Sequence, residues 1–340
     1  MSEPLDPPGC MVFPEIVCFG NCHESTLDGS TVPDVSSSPD FSLWPSPERE
    51  WDELLGLAEY ADARDWRTLW YADHFMPNTG EESVVDGRVH ECWSVIAALT
   101  AVTRRIRVGS LVSPTTIRHP AVLANTAATI DRIGLGRLVL GIGAGWQINE
   151  HKSYGFDMFS NGARVDRFEE AIVIIRSLLT KERTNFDGHH FQILDAPCQP
   201  NPVQTPLPIL VGTGGPRMSR LAATHADEWN TWGTPDEAAK RRSTIAMACE
   251  KIGRDPATLR TSVQGLIFLV DDASTAARIA ERAPADRSII GDAHVVTGAF
   301  ADYHQAGFDE IIVPDFTLGS SPQQRLEAYQ RLEEEVFSLV

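Results

Sequence analysis

Short apolar segments and amphipathic helical segments alternate along most of this chain of 340 residues. Such an alternation predicts a parallel sheet whose strands are joined by right-handed helical crossovers. The predicted strands are Glu15–Phe19, Leu69–Ala72, Ile106–Val112, Arg137–Ile142, Ile209–Gly212, Glu228–Trp232, Val263–Val270 and Glu310–Pro314. Eight such units predict an α/β fold of the closed (β/α)₈ TIM-barrel type. An open doubly wound sheet is the alternative, but the first strand and turn lack its G-x-G-x-x-G sequence.

The first 45 residues are the least regular part of the sequence. They contain the first predicted strand and most of a long segment, Asn21–Pro47, which is rich in Ser, Pro, Asp and Gly and is predicted to be a loop. A loop of this length inside a compact domain is usually functional or disordered. Because no clear domain boundary follows, residues 1–340 are predicted to form one barrel domain with insertions.

The charge of the chain disfavours nucleic acid as a partner. There are 29 Lys and Arg residues against 47 Asp and Glu residues, which gives a net charge of -18. Phosphate backbones are bound mainly by clustered Lys and Arg. No apolar stretch approaches the roughly 18 residues of a membrane-spanning helix. Met1–Pro8 also lacks the basic and apolar regions of a signal peptide, so neither membrane insertion nor secretion is expected.

The cysteines predict a reducing compartment and no metal site. Six of them (Cys10, Cys18, Cys22, Cys92, Cys198 and Cys249) are scattered without a repeated spacing. Disulfide scaffolds are short and dense in cysteine, so free thiols and a cytoplasmic location are predicted. Cys18, Cys22 and His23 lie close together, but they lack the second ligand cluster of a zinc site.

Four loops after predicted strands have unusual sequences, and barrel enzymes place their chemistry in such loops. The sequences are Tyr71-Ala72-Asp73-His74-Phe75, Gly109–Pro114 with Arg118-His119-Pro120, Gly141–Trp146 with Asn149-Glu150, and Val211–Pro216 with Ala226–Asn230. A hairpin predicted at Thr184–Ile193 separates the third set from the fourth. In this order and spacing, over about Leu43–Pro314, the segments resemble the luciferase-like monooxygenase superfamily. Within it they resemble the actinobacterial branch that depends on coenzyme F420.

The resemblance implies an oxidoreductase that transfers a hydride between coenzyme F420 and a small organic substrate, and it implies a homodimer. A deazaflavin moves hydride in two-electron steps, so the protein has to align the reacting carbons and supply one proton. The first alternative is a monooxygenase that uses reduced FMN and oxygen on the same barrel. The second is a non-catalytic cofactor-binding protein, which the joint presence of Asp73, His74, Asn149 and the glycine loop disfavours.

His74 is the candidate catalytic residue, together with Asp73. An imidazole can give or take the proton that accompanies hydride transfer near neutral pH. In similar F420 enzymes the matching Asp-His pair lies against the deazaflavin ring. Asp73 is therefore expected to orient His74 or to hold polar groups of the cofactor. The alternative is a buried, hydrogen-bonded pair that positions the end of the strand.

Three segments are candidate cofactor-binding elements. Ser110, Leu111 and Val112 resemble the bulge that contains a non-proline cis peptide in F420 members, with a plain third strand as the alternative. Gly143, Ala144 and Gly145 allow a close approach of backbone to a planar ring, and Asn149 resembles a cofactor-contacting position. The third segment is Gly212, Thr213, Gly214 and Gly215, where N–H groups at a helix N-terminus can bind an anionic tail with help from Arg217.

Trp146, Asn230 and Trp232 are the candidate substrate-pocket residues. In the sugar-phosphate dehydrogenase of the resembling branch, a carboxylate stands where this chain has Trp146. The acid–base pairing of that enzyme therefore cannot be carried over, and a sugar phosphate is disfavoured as substrate. Trp146 is expected to form an apolar wall over the substrate, with simple packing at a helix start as the alternative.

Overall fold

The computed structural model describes residues 38–78, 80 and 82–340. Its strands are β1 (Asp40–Trp44), β2 (Thr68–Tyr71), β3 (Arg107–Ser110), β4 (Ser113–Pro114), β5 (Leu138–Gly143), β6 (Thr184–Asp187), β7 (Gln192–Ala196), β8 (Ile209–Gly212), β9 (Glu228–Trp232), β10 (Arg260–Gln264), β11 (Leu266–Leu269), β12 (Ser288–Gly291) and β13 (Glu310–Pro314). Its α-helices are α1 (Trp51–Asp62), α2 (Cys92–Val102), α3 (Pro120–Ile133), α4 (Ile148–Tyr154), α5 (Asn161–Thr180), α6 (Pro216–His225), α7 (Pro235–Lys251), α8 (Ala273–Ala280), α9 (Ala293–Gln305) and α10 (Pro322–Glu335).

Most of the strands form one parallel sheet that closes on itself. Around the ring the order is β3-β2-β1-β13-β10-β9-β8-β5-β4, and β3 also pairs with β5. Since β3 and β4 are two parts of one stave, interrupted at residues 111 and 112, the ring has eight staves. The predicted TIM barrel is confirmed, and the open sheet is excluded. None of the helices in the described residues is long and apolar enough to cross a membrane.

The first barrel strand is not the one that the sequence predicted. The predicted Glu15–Phe19 lies outside the described residues, whereas β1 lies within the segment predicted to be a loop. It pairs in parallel with β13 and β2, and Asp40 is in register with Glu310. Its apolar run is broken by Ser42, which the structure accommodates because Ser42 Oγ donates to Glu310 Oε1 (2.6 Å) and accepts from Thr68 N (3.0 Å).

Two further elements differ from the prediction. The segment Val263–Val270 forms two strands, because β10 stays in the barrel while β11 pairs with β12 in a separate small sheet. The predicted hairpin is formed by β6 and β7, but its turn is wider than two residues, since Asp187 pairs with Gln192. The Glu170 carboxylate accepts N–H bonds from residues 189, 190 and 191 and so stabilises this wider turn.

Alternate residues of the barrel strands point to opposite sides of the sheet. One set packs against the helices and forms the main core. The other fills the barrel and includes Trp44, Trp70, Leu111, Val139 and Ile312. The described cysteines, Cys92, Cys198 and Cys249, are buried free thiols.

A close approach between β3 and β5 restricts the residue at position 141. A Cβ atom on Gly141 would lie 1.9 Å from the carbonyl oxygen of Ser110 and 3.2 Å from a methyl of Val112. Ser110 Oγ donates to the carbonyl of Gly141 (2.8 Å) and accepts from its N–H (3.1 Å). These two bonds hold β3 and β5 at a distance that leaves no room for a side chain at position 141.

We expect Gly141→Ala to lower the free energy of unfolding by about 3 kcal/mol, the upper range for overpacking, because the atom that obstructs the new methyl is backbone. Gly162→Ala is the matched control, since a Cβ at position 162 meets no atom within 4 Å. Guanidinium unfolding followed by circular dichroism measures both variants. Equal midpoints for the two would contradict the close approach.

Candidate active site

Two adjoining cavities lie at the C-terminal ends of the barrel strands, with volumes of about 810 Å³ and about 250 Å³. They share a wall formed by His74, Val112, Trp146, Gly212, Thr213 and Gly214. Ligands of TIM-barrel enzymes bind at this end of the barrel. The shared wall is the place where a group bound in one cavity can meet a group bound in the other.

Aromatic and aliphatic side chains form about half of the lining of the larger cavity, and most of the rest is polar or charged, including Arg49, Arg241 and Arg287. Trp44 stands between Trp232 and Phe316, with ring centroids 5.5 Å and 5.1 Å away. The polar part of the lining includes the buried amides of Asn230 and Gln264. Asn230 Nδ2 donates to Ser262 Oγ (2.9 Å), which fixes the Asn230 amide. The cavity therefore offers a ligand both an apolar aromatic surface and polar groups.

His74 lies on the shared wall and is held by a carboxylate. Its Nδ1 is 3.0 Å from Oε1 of Glu150, and Oε2 of Glu150 accepts from the N–H of Phe75 (2.9 Å). Glu150 is 1% exposed, whereas the His74 side chain is 18% exposed. Trp146 stands edge-on to the imidazole at a centroid distance of 5.6 Å and is itself 55% exposed. Trp146 thus lines the cavities and is not buried by packing at the start of α4.

The Asp73 carboxylate, predicted to orient His74 or to hold polar groups of the cofactor, forms an ion pair with an arginine. This fully buried carboxylate accepts from Arg118 Nε (3.0 Å) and Nη2 (2.6 Å), and Arg118 also donates to Glu91 (2.6 Å). Burial opposes the charge of Arg118, but the bonds and charges of Asp73 and Glu91 raise the pKa of its guanidinium above the ordinary value. Asp73 therefore anchors the end of β2 through Arg118, and its role towards His74 or the cofactor stays a prediction.

Val112 explains two of the glycines on the site wall. A non-proline cis peptide lies between Leu111 and Val112, within the segment that resembles the bulge of F420 members. The Val112 side chain lies against Gly143 and Gly212. A Cβ added at these two positions would come within 2.7 Å and 3.2 Å, respectively, of a Val112 methyl. The missing side chains at these positions make room for Val112, which itself lines both cavities. Gly145 has a positive φ of 84°, and a side chain there would also meet Thr116.

The beginning of α4 holds the chain that follows His74. Gln147 Nε2 donates to the carbonyl of Met76 (3.0 Å), and Asn149 Nδ2 donates to the carbonyl of Pro77 (3.2 Å). Asn149 is buried and, in the described structure, is not part of the lining of either cavity. Its cofactor contact stays a prediction, while its observed partner is backbone.

The glycine-rich loop after β8 leads into α6 beside the smaller cavity. Positions 214 and 215 have open space on the side where a Cβ would stand, so their backbone is accessible. Arg217 donates to Asp166 and Glu169 on the surface and, among described residues, is not part of either lining. Its help with an anionic tail stays a prediction.

The predicted site residues therefore fall into two groups. Those that line a cavity are His74, Leu111, Val112, Gly143, Ala144, Gly145, Trp146, Gly212, Thr213, Gly214, Gly215, Asn230 and Trp232. Those placed outside both linings are Asp73, Ser110, Asn149 and Arg217. Sequence reasoning missed the partners Glu150 and Arg118, although both stand in the motifs that it singled out.

The fold and this site define an α/β-barrel protein with a ligand site at the C-terminal mouth. The sequence model of the family described as luciferase-like monooxygenase matches residues 34–310. The chain belongs to the luciferase-like monooxygenase family.

Relatives within the family have been named for their activities. An F420-dependent hydroxymycolic acid dehydrogenase of Mycobacterium tuberculosis is 32% identical over 265 residues, which is 77% of this chain and 71% of that protein. An F420-dependent glucose-6-phosphate dehydrogenase of Amycolatopsis mediterranei is 31% identical over 178 residues; the match spans 52% of this chain and 51% of that enzyme. The solved structure of an F420-dependent secondary alcohol dehydrogenase in complex with an F420-acetone adduct matches this fold with a TM-score of 0.75 at 17% identity. The match covers 89% of this chain and 100% of that enzyme's chain. At that identity the last comparison bears on the fold alone.

We expect Asp73→Asn to lower the free energy of unfolding by about 3 kcal/mol, because the variant leaves the half-buried Arg118 without one of its two carboxylates. Arg217→Gln removes an exposed arginine that also has two carboxylate partners, and it should leave the denaturant midpoint unchanged. Equilibrium unfolding in urea measures both. Equal stability of the two variants would contradict the anchoring role of Asp73.

Proposed function

We propose that the protein is an oxidoreductase that transfers a hydride between coenzyme F420 and a small organic substrate, with His74 as the proton donor or acceptor. The observation that carries the proposal is the position of His74 on the wall shared by the two cavities. The curated relatives named above support F420 as the cofactor. The aromatic lining of the larger cavity supports an apolar alcohol or ketone as the substrate.

The residues present fit a deazaflavin with an anionic tail. The accessible backbone of Gly214 and Gly215, at the N-terminus of α6, would hold the tail without a net positive charge. Val112 would support one side of the ring, and Trp146 would cover the substrate. When bound, the coenzyme supplies the two-electron hydride chemistry.

His74 has the proton chemistry that such a reaction requires. In alcohol oxidation, the imidazole takes the hydroxyl proton of the substrate, and in carbonyl reduction it returns that proton. Trp146 and the aromatic residues of the larger cavity provide an apolar surface beside His74. Asn230 and Trp232 would determine which substrates fit.

Three further predictions accompany this proposal. A homodimer is proposed from the family resemblance, and a cytoplasmic location from the free thiols of the described cysteines. That all 340 residues form one domain also stays a prediction, since residues 1–37, which include Cys10, Cys18, Cys22 and His23, lie outside the described part.

Fluorescence titration of the purified protein with F420 and, in parallel, with FMN tests the choice of cofactor. We expect micromolar binding of F420 and much weaker binding of FMN. Tight binding of FMN with none for F420 would overturn the proposal and favour an oxygen-dependent monooxygenase.

We expect His74→Asn to reduce kcat by about 10²–10⁴-fold, the usual contribution of a positioned acid or base. The Kd for F420 should change little, because the proton is needed in the chemical step. A screen of secondary alcohols and ketones, followed by F420 absorbance, supplies the assay. His294→Asn on the outer helix α9 is the matched control. Unchanged kcat in His74→Asn would exclude the proton role.

A further inference from the structure

We propose that Glu150 is a positioning residue that fixes the neutral His74 ring as one tautomer, with its proton on Nδ1 and the lone pair on Nε2. The importance of this tautomer for catalysis rests on the function proposed above. The tautomer itself is a property of the protein without cofactor or substrate.

Each oxygen of the Glu150 carboxylate lies within hydrogen-bond distance of one nitrogen. Oε2 accepts from the backbone N–H of Phe75 (2.9 Å), and Oε1 lies 3.0 Å from Nδ1 of His74. An ionised carboxylate accepts hydrogen bonds and donates none. The proton between the two side chains must therefore reside on Nδ1.

The other face of the ring is free for a ligand. Nε2 of His74 has no hydrogen-bond partner within the described part of the chain, and the ring lines both cavities. With Nδ1 protonated, Nε2 of the neutral ring is an acceptor. It can then take the proton of a substrate hydroxyl directly.

Asp73, the neighbouring carboxylate in the sequence, is paired with an arginine. Both of its oxygens are bound by Arg118. The nearby ring of Trp146 meets His74 edge-on at 5.6 Å between centroids. Glu150 is thus the carboxylate that the described structure places on the imidazole.

Glu150 is itself fixed by its helix. The first residues of α4 bind the carbonyls of Met76 and Pro77 through Gln147 and Asn149, and the hydroxyl of Tyr154 at the end of α4 donates to the carbonyl of Phe75 (3.2 Å). These bonds join α4 to the segment that carries His74. The carboxylate therefore acts on a ring whose backbone is held by the same helix.

The proposed step balances in the oxidation direction. A bound deazaflavin would supply the acceptor for the hydride that leaves the carbinol carbon when its C–H bond breaks. The hydroxyl proton passes to Nε2 of His74, and the C=O double bond forms. The resulting imidazolium is paired with the Glu150 carboxylate, which stays ionised as it does in the related His-carboxylate arrangement of serine hydrolases.

Glu150→Gln tests the proposal because a carboxamide has a single acceptor oxygen. If this oxygen keeps the Phe75 N–H, the amide NH₂ faces Nδ1 and forces the ring proton onto Nε2. We expect kcat to fall by about 10²–10⁴-fold, as for loss of a positioned base, while KM and the Kd for F420 change less than threefold. Glu82→Gln is the matched control, since Glu82 is an exposed partner of Lys152 on the same helix.

A comparison with Glu150→Ala separates tautomer control from a merely structural role. Alanine leaves both tautomers available to the ring, whereas glutamine enforces the wrong one. We therefore expect kcat of Glu150→Gln to be lower than kcat of Glu150→Ala, provided that both are folded by circular dichroism. If the larger truncation is the more damaging of the two, the proposal is wrong.

Nitrogen-15 NMR of histidine-labelled protein, without cofactor, reads the tautomer directly. The His74 signal is the one lost in His74→Asn. We expect the Nδ1–H form in the unchanged protein and the Nε2–H form in Glu150→Gln. An Nε2–H form in the unchanged protein would overturn the proposal. If the Nδ1–H form is found but F420 does not bind, the proposed function fails and the tautomer assignment stands.

Discussion

The contact between α4 and the segment that follows β2 determines what the rest of the site can do. The segment after β2 that carries His74 is irregular and cannot place this side chain by itself, whereas α4 is a short regular helix that packs against it. Side chains from the first turn of α4 provide the hydrogen bonds that the carbonyls of residues 76 and 77 would otherwise lack. A buried carbonyl without a hydrogen-bond partner costs free energy, so a shift of α4 along this segment would be unfavourable. The position of His74 therefore depends on side-chain hydrogen bonds from the start of α4 to the backbone that follows His74.

Val112 gives the same site its steric framework. The two cavities adjoin at its side chain, and the strands on either side approach it closely because they carry glycine at positions 143 and 212. Glycines near a ligand site are commonly explained by the approach of the ligand. In this barrel they are explained first by the Val112 side chain, which lines both cavities.

The periodicity of the sequence predicts the barrel, because seven of its eight strand positions have a local apolar pattern. β1 was the exception, since Ser42 interrupts its apolar run and the bonds that make this polar residue acceptable come from Glu310 and Thr68. The part of the lining that comes from the motifs after the strands was also predictable, because the C-terminal ends of parallel barrel strands converge, whereas Arg241, Gln264 and Arg287 of the larger cavity were not identified. The hydrogen-bond partners of the site residues could not be predicted, because they are far apart in the sequence. His74 and Glu150 are separated by 76 positions, and Asp73 and Arg118 by 45. The sequence analysis paired Asp73 with the adjacent His74, whereas in the structure its carboxylate binds Arg118.

The pairing of Arg217 with Asp166 and Glu169 affects how fast a negatively charged ligand can arrive. With this arginine neutralised, a ligand approaching the smaller cavity meets a protein of net charge -18 and must rely on backbone dipoles at close range. These dipoles act over a few ångströms, whereas the repulsion extends over about 10 Å at 0.1 M ionic strength. This long-range repulsion would slow the association of an anionic coenzyme in dilute buffer, and added salt would accelerate it. This is the reverse of the salt effect in proteins that attract such ligands with a basic surface.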